Sequence, residues 1–203
     1  MQQIQTENYV TAMFIDFEEN TKTELEFDSI TLMDELDVVF KGMDEICKQY
    51  RLERQRTLGD GYLCIAGLPT NADVKAFDVI EAASKIQHFM HTQKVNNQRK
   101  GKAAFSVHIG IHSGEMIGGV VGIRTLAEDI WNDTILTASN LTKNSVANGI
   151  LISLNTRKLL SSKIDVVENG QVLDAENKPI LTYYVSHSGP EIAAAAYPKN
   201  SLN

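Results

Sequence analysis

Two aspartates stand where a hard cation could be held. Asp16 follows the apolar, β-rich run YVTAMFI of residues 9–15, and Asp60 lies between Gly59 and Gly61. The runs 52–58 and 62–66 on either side of that glycine pair predict a hairpin with Asp60 at its tip. If the hairpin lies beside the first strand, both carboxylates converge at one end of a sheet. Two buried carboxylates in contact repel strongly unless a cation lies between them. Mg²⁺ and Mn²⁺ take all-oxygen ligand sets and bridge phosphate oxygens. The backbone N–H groups of Phe17, Glu18, Glu19, Asn20 and Thr21, expected to lead into a helix, would then face phosphates as helix starts do. Either aspartate alone is an ordinary turn residue; the pair in this order carries the reading.

The elements that must position this pair follow from hydrophobic spacing. Residues 9–15 read as a largely buried strand ending at Asp16. A helix is predicted over 27–50, with Met33, Leu36, Phe40, Met43, Cys47 and Tyr50 on its inner face. A polar loop over 69–73 precedes a second helix over 74–95, with Phe77, Ile80, Ala83, Ile86 and Met90 inward. Two further strands, 105–111 and 116–121, are expected around a break at His112-Ser113-Gly114-Glu115. Asp133-Thr134 can cap a helix reaching Val146. A strand at 150–152, a short helix at 155–160, and strands at 164–167 and 181–185 complete the pattern. The order β-α-β-β-α-β-β-α-β predicts an α+β sandwich, with helices packed on one face of a mostly antiparallel sheet. His108 and His112 fall on one face of a predicted strand, where a hydrogen-bonded structural role is expected.

Composition narrows the classes. A chain of 203 residues with 43% apolar and 22% charged residues suits one globular domain. The net charge of -7 argues against binding a nucleic-acid backbone or an anionic membrane. No apolar run approaches the roughly 20 residues of a membrane span, and residues 1–7 lack a signal pattern, so a cytoplasmic location is expected. Cys47 and Cys64, each inside a predicted element, read as buried reduced thiols. The expected organisation is a lead-in over 1–8, a catalytic domain over 9–186 and a flexible tail over 187–203.

Five short segments, taken in order, carry a family resemblance. They are Phe14-Ile15-Asp16-Phe17; Arg56-Thr57-Leu58-Gly59-Asp60-Gly61-Tyr62, followed by Ala66-Gly67-Leu68-Pro69; Ile109-Gly110-Ile111-His112-Ser113-Gly114; Gly118-Gly119-Val120-Val121-Gly122; and Asp129-Ile130-Trp131-Asn132-Asp133-Thr134 with Ala138-Ser139 beyond. In order and spacing the chain resembles the catalytic domain of class III nucleotidyl cyclases over residues 9–185. The resemblance implies a ferredoxin-like α/β fold and a head-to-tail homodimer with active sites at the subunit interface. Asp16, Asp60 and the Ile15 backbone carbonyl would hold two divalent ions, Mn²⁺ or Mg²⁺. One ion would lower the pKa of the ribose 3′-hydroxyl for attack on the α-phosphate, and both would neutralise charge as pyrophosphate leaves. Lys178 falls where the family carries a lysine for the triphosphate.

The base-reading positions depart from the family's adenylate pattern. Arg56 stands where adenylate cyclases of this class usually carry lysine, and the partner position keeps an acid, Asp129. Guanidinium offers donors only and carboxylate acceptors only. Uracil matches that pair through O4 and N3–H; cytosine matches it through N3 or O2 and its amino group; adenine also fits, with less room. An arginine here, on a compact single-domain chain, resembles the Pycsar-type pyrimidine cyclases of bacterial antiphage defence, whose cyclic UMP or cyclic CMP activates a separate effector. UTP is the expected substrate and CTP the alternative, with Tyr9 a second candidate for contacting the base. Leu136 and Asn140 replace the asparagine and arginine that usually stabilise the transition state, and losing such a donor costs several kcal/mol. Lys143 or Arg124 are candidates to supply the missing cation, and Asn132 replaces a usual glycine. Those substitutions keep two further readings open: an adenylate cyclase with an unusual base pocket, and a catalytically silent nucleotide-binding domain.

Overall fold

The computed structural model describes residues 6–19, 27–55, 61–118, 133–161 and 164–186. Along the chain run β1 (Thr6–Glu19), α1 (Ser29–Gln49), β2 (Glu53–Gln55), β3 (Tyr62–Ala66), α2 (Ala76–Arg99) and β4 (Phe105–Gly118). They are followed by α3 (Asp133–Asn144), β5 (Ile150–Ser153), α4 (Leu154–Leu159), β6 (Val166–Leu173) and β7 (Pro179–Val185). The described strands form one sheet in the order β2-β3-β1-β4-β5-β7-β6. Its first four strands are antiparallel neighbours in the ferredoxin-like order, and β5 alone joins in parallel, beside β4. The α+β class and the mostly antiparallel sheet are as expected.

Alternation along β1 explains why the sheet is covered twice. Met13 and Ile15 enter a core with Val39, Met43, Ile80, Ile86 and Met90 of α1 and α2. Val10, Ala12 and Phe14, pointing the other way, pack with Ile135 and Ala138 of α3. Successive strand side chains take opposite faces, and each fully buried aliphatic contributes about 1.5–3 kcal/mol, so both faces demand a cover. The expectation of helices on a single face is thereby corrected: α1, α2 and α4 lie on one side, and α3 on the other.

Two other expectations change. Instead of breaking at residues 112–115, β4 runs unbroken through them, with Val10 opposite Gly114 and Tyr9 opposite Glu115. Its glycines serve close packing rather than turns. A Cβ on Gly114 would stand 2.6 Å from Thr134 Oγ1, and one on Gly110 would stand 2.3 Å from the Ala138 carbonyl oxygen. Along α1, Leu32 and Leu36 pack inward with Val39, Met43 and Cys47, whereas Met33 is 69% exposed. Spacings of three and four residues fit either neighbouring stripe, so periodicity alone could not choose. Phe77 on α2 is likewise partly exposed, while Ile80, Ala83, Ile86 and Met90 are buried. Cys47 and Cys64 are buried free thiols with their sulfurs 3.4 Å apart.

Both β4 histidines are structural. His108 Nδ1 meets the Ser145 carbonyl at 2.8 Å, and His112 Nδ1 meets Ser153 Oγ at 2.8 Å. Burial pushes the His112 pKa down to about 4, against the opposing pull of Asp174. Between pH 6.5 and 4 the unfolded chain therefore binds a proton at this position that the folded chain refuses. Stability falls as pH drops through that window, by up to about 3 kcal/mol, and the contribution is fully present above pH 6.5. Urea midpoints at pH 7 and pH 4.5 should show a smaller acid loss in His112→Asn than in the wild type; equal losses would assign the effect elsewhere.

Candidate active site

Asp16 sits one residue past the last β1–β3 pair, Ile15 opposite Tyr62. On the other side it faces His108 across the β1–β4 ladder. Its carboxylate is half-buried, accepts the Phe17 N–H at Oδ1 (3.0 Å), and meets no cationic side chain among the described residues. The Ile15 carbonyl oxygen lies toward the hairpin, 3.8 Å from where a Gly61 Cβ would stand. A Cβ on Gly61 would also meet the Phe14 ring tip at 2.7 Å, so a larger residue there requires that ring to shift. A hard-oxygen donor set of carboxylate plus carbonyl, with no cation already paired to it, suits a divalent ion. Among the described residues no group of three or more His, Cys, Asp or Glu is gathered, and the second acid expected from the sequence is Asp60. Asp60 is joined to Gly61 by one peptide bond; it, Arg56, Asn20, Thr21, Arg124, Asp129 and Asn132 lie outside the described residues.

Phe17, Glu18 and Glu19, the described residues directly after Asp16, are strand and not the start of a helix. They extend β1 opposite Val107, Ser106 and Phe105, and α1 starts only at Ser29, capped by Asp28. For these three residues the expected helix-start cradle is corrected, and the N–H of Phe17 is engaged by the Asp16 side chain itself. Phe17 turns its ring to Phe40, edge on at 5.3 Å, and Glu18 approaches His108 Nε2 at 3.4 Å.

Lys178 and Tyr9 lie at the opposite end of the sheet. Lys178 occupies the β6–β7 turn, exposed and ion-paired to Glu176, which raises its pKa. That turn is held to α3 by Ala175 N–H donating to Thr137 Oγ1 (3.1 Å) and Asn140 Nδ2 donating to the Asp174 carbonyl (3.3 Å). Asn140 is thus committed to anchoring the turn, while Leu136 is partly exposed and Lys143 is exposed in the last turn of α3. Tyr9 is half-exposed rather than buried in the core, with its hydroxyl donating to the Ser113 carbonyl at 3.4 Å. It lines a cavity of about 320 Å³ with His112, Glu115, Asp133, Thr134 and Glu176. Tyr9 and Asp16 are seven residues apart on one extended strand, about 23 Å at 3.3 Å per residue. Register carries Thr182 of β7 to Ser153, and Ile152 to Ile111 and Met13, which places Lys178 level with Tyr9 and not with Asp16. One chain therefore does not bring Asp16, Tyr9 and Lys178 to a single ligand. The remaining predicted ligands stay as sequence expectations.

Comparison with known proteins supplies the family. The family described as adenylate and guanylate cyclase catalytic domain matches residues 2–187, and the chain belongs to that family. Among curated relatives, soluble guanylate cyclase gcy-31 of Caenorhabditis elegans is 26% identical over 89% of this chain and 26% of its own length. Adenylate cyclase type 9 of Gallus gallus is 28% identical over 92% of this chain and 14% of its own length. The chain thus spans about a quarter or less of these two relatives. Among solved structures, the adenylyl cyclase CyaB from P. aeruginosa superposes with a TM-score of 0.76 at 22% identity, covering 92% of this chain and 97% of that one. The guanylate cyclase domain of RhGC from Catenaria anguillulae, in complex with GTP, gives 0.72 at 23% identity, covering 91% and 100%. Among the described residues, no helix is long and apolar enough to cross a membrane.

Proposed function

We propose that this chain is a pyrimidine nucleotide cyclase, converting UTP to 3′,5′-cyclic UMP and pyrophosphate in the cytoplasm at a site shared by two copies. Membership in the cyclase family supplies the reaction class. The observation that carries the site is the half-buried Asp16 carboxylate, without a cationic partner among the described residues, beside an Ile15 carbonyl turned to the hairpin that bears Asp60. Asp16, Asp60 and the Ile15 carbonyl are the proposed ligands of two divalent ions. When bound there, such ions supply charge neutralisation at the phosphates and activation of the 3′-hydroxyl. The 3′-oxygen then bonds to the α-phosphorus as the bond to pyrophosphate breaks. The separation of Asp16 from Lys178 and Tyr9 within one chain supports a head-to-tail homodimer, in which one copy supplies Asp16 and its partner supplies Lys178. Residues 9–186 are the proposed catalytic unit. To meet a triphosphate, Lys178 has to exchange its bond to Glu176 for phosphate oxygens.

Arg56 and Asp129 are the proposed readers of the base, through the donor-only and acceptor-only pairing that uracil and cytosine satisfy. The cyclic product is then a messenger to a separate effector, as in antiphage signalling. A purine cyclase is the second reading, favoured by the guanylate and adenylate cyclases among the relatives.

Incubation with Mn²⁺ and each of the four ribonucleoside triphosphates, with product mass and pyrophosphate measured, decides among these. Cyclic UMP should dominate in the wild type, and Arg56→Ala should lower the preference for it by about tenfold or more, since an unpaired polar edge of the base is then buried. Cyclic CMP alone would move the assignment to CTP. Cyclic AMP or cyclic GMP alone overturns the pyrimidine reading, and triphosphate binding without pyrophosphate release would leave a silent nucleotide-binding domain.

A further inference from the structure

Beside the candidate site lies a cluster centred on Asp44, a residue outside the five motif segments. Asp44, in the C-terminal half of α1, accepts the hydroxyl of Tyr62 at Oδ1 (2.8 Å) and binds Arg54 Nη1 through both oxygens, at 2.9 and 3.1 Å. Arg54 spreads over two rings, 4.7 Å from the centroid of Tyr62 and 5.2 Å from that of Phe40. Phe40 and Tyr62 stack at 6.0 Å, and Phe40 also takes the edge of Phe17. Tyr62 is 1% exposed, so its hydroxyl needs the acceptor that Asp44 provides.

The positions of these residues matter more than the contacts alone. Arg54 stands on β2 two residues before Arg56, Tyr62 on β3 two residues after Asp60, and Phe17 directly after Asp16. One carboxylate on α1 therefore grips both legs of the hairpin, and the ring beside it touches the strand that carries the other acid. The Arg54 bond is charge-assisted, with one guanidinium nitrogen, Nη1, shared between the two Asp44 oxygens, and the rings on either side hold the guanidinium in place.

We infer that Asp44 is a positioning residue for catalysis, holding the base-reading leg through Arg54 and the metal-binding leg through Tyr62. This rests on the functional reading given above. The two legs make separable demands: loosening β2 displaces Arg56, and loosening β3 displaces Asp60. Misplacement by an ångström can lower turnover by up to about a hundredfold without any contact to substrate being removed.

The test uses the full chain and three variants, with two ratios read for each: the preference among the four triphosphates, and the Mn²⁺ concentration giving half-maximal activity. Arg54→Met should erode base preference by about tenfold or more and leave the Mn²⁺ requirement in place. Tyr62→Phe should raise the Mn²⁺ requirement several-fold and leave base preference in place. Asp44→Asn keeps an acceptor for Tyr62 but loses the charge facing Arg54, so it should follow Arg54→Met. Activities that fall by one common factor, tracking the melting temperature with both ratios unchanged, would overturn the inference and leave the cluster as packing only. Should Arg54→Met fail to fold, Tyr62→Phe and Asp44→Asn decide between those outcomes. If the wild type releases no pyrophosphate, the same two ratios are read from Mn²⁺-dependent binding of fluorescent triphosphate analogues. A wild type that neither turns over nor binds any triphosphate removes the cyclase reading, and the inference with it.

Discussion

Asp16→Asn should abolish cyclic nucleotide formation while leaving the fold intact. The amide keeps an oxygen that can accept the Phe17 N–H, and neither that bond nor the surrounding ladder depends on charge. What is lost is a negative ligand for a divalent ion. A bound ion contributes several kcal/mol of transition-state charge stabilisation, so the expected fall in kcat is about a thousandfold or more. The check is pyrophosphate release at saturating Mn²⁺, measured beside circular dichroism and thermal melting. A melting temperature within about 2 °C of the wild type is expected, because the substituted side chain is only half-buried and retains its hydrogen bond to the Phe17 N–H. Full activity in this variant would remove Asp16 from the chemistry and with it the site as assigned. Higher Mn²⁺ should not rescue the variant, which distinguishes a missing ligand from a merely weakened one.

Gly110→Ala should be the most damaging small substitution for stability. The added carbon would stand 2.3 Å from the Ala138 carbonyl oxygen, 2.4 Å from the Thr142 nitrogen and 2.5 Å from Thr142 Oγ1. Two of those three atoms are backbone, so no rotamer change relieves the contact and α3 has to move off β4. Moving α3 also breaks the Thr142 Oγ1 bond to the Phe14 carbonyl, at 3.0 Å in the wild type. Overpacking costs about 1–3 kcal/mol where side chains can adjust, and a backbone clash sits at or above that upper end. About 3 kcal/mol lowers the melting temperature of a chain of this size by roughly 6–12 °C. Gly42→Ala is the useful comparison: its new carbon would approach the Phe89 ring at 2.2 Å, but that ring can turn aside. A Gly110 variant melting as high as the Gly42 variant would show that α3 is less tightly seated than the distances state.

A mutation at Gly110 also bears on function, because α3 touches both of the separate regions that one chain would offer to shared sites. Its C-terminal half lies against Phe14 and, through Ser145, against His108 opposite Asp16. Its middle carries the turn that presents Lys178. Displacing this helix should therefore lower activity even at temperatures where the variant remains folded.

Much of the fold was legible in the residues. Long three-and-four spacing marked α1 and α2, β-rich runs marked β1 and β3, and the glycine pair around Asp60 pointed to the antiparallel pairing of β2 with β3. The glycine at 114 misled, because glycine has two uses that look alike in a chain: allowing a turn, and allowing another backbone close. Here the second applies, and only the position of α3 reveals it. The choice between Leu32 and Met33 as the inward residue of α1 was equally undetermined, since adjacent stripes satisfy one period.

The candidate site divides in the same way. Local order along the chain was enough to place Asp16 on the first strand, beside β3, and to identify the family through its motifs. Those features depend on neighbours in sequence: apolar runs, glycines at a tip, and residue types at short fixed spacing. Only the three-dimensional arrangement decided that Lys178 and Tyr9 lie at the far end of the sheet from Asp16, that α3 covers the face opposite α1 and α2, and that Asp44 grips Arg54 and Tyr62 together. Each of these depends on register, strand order or contacts between residues distant along the chain, and short-range spacing carries no record of them.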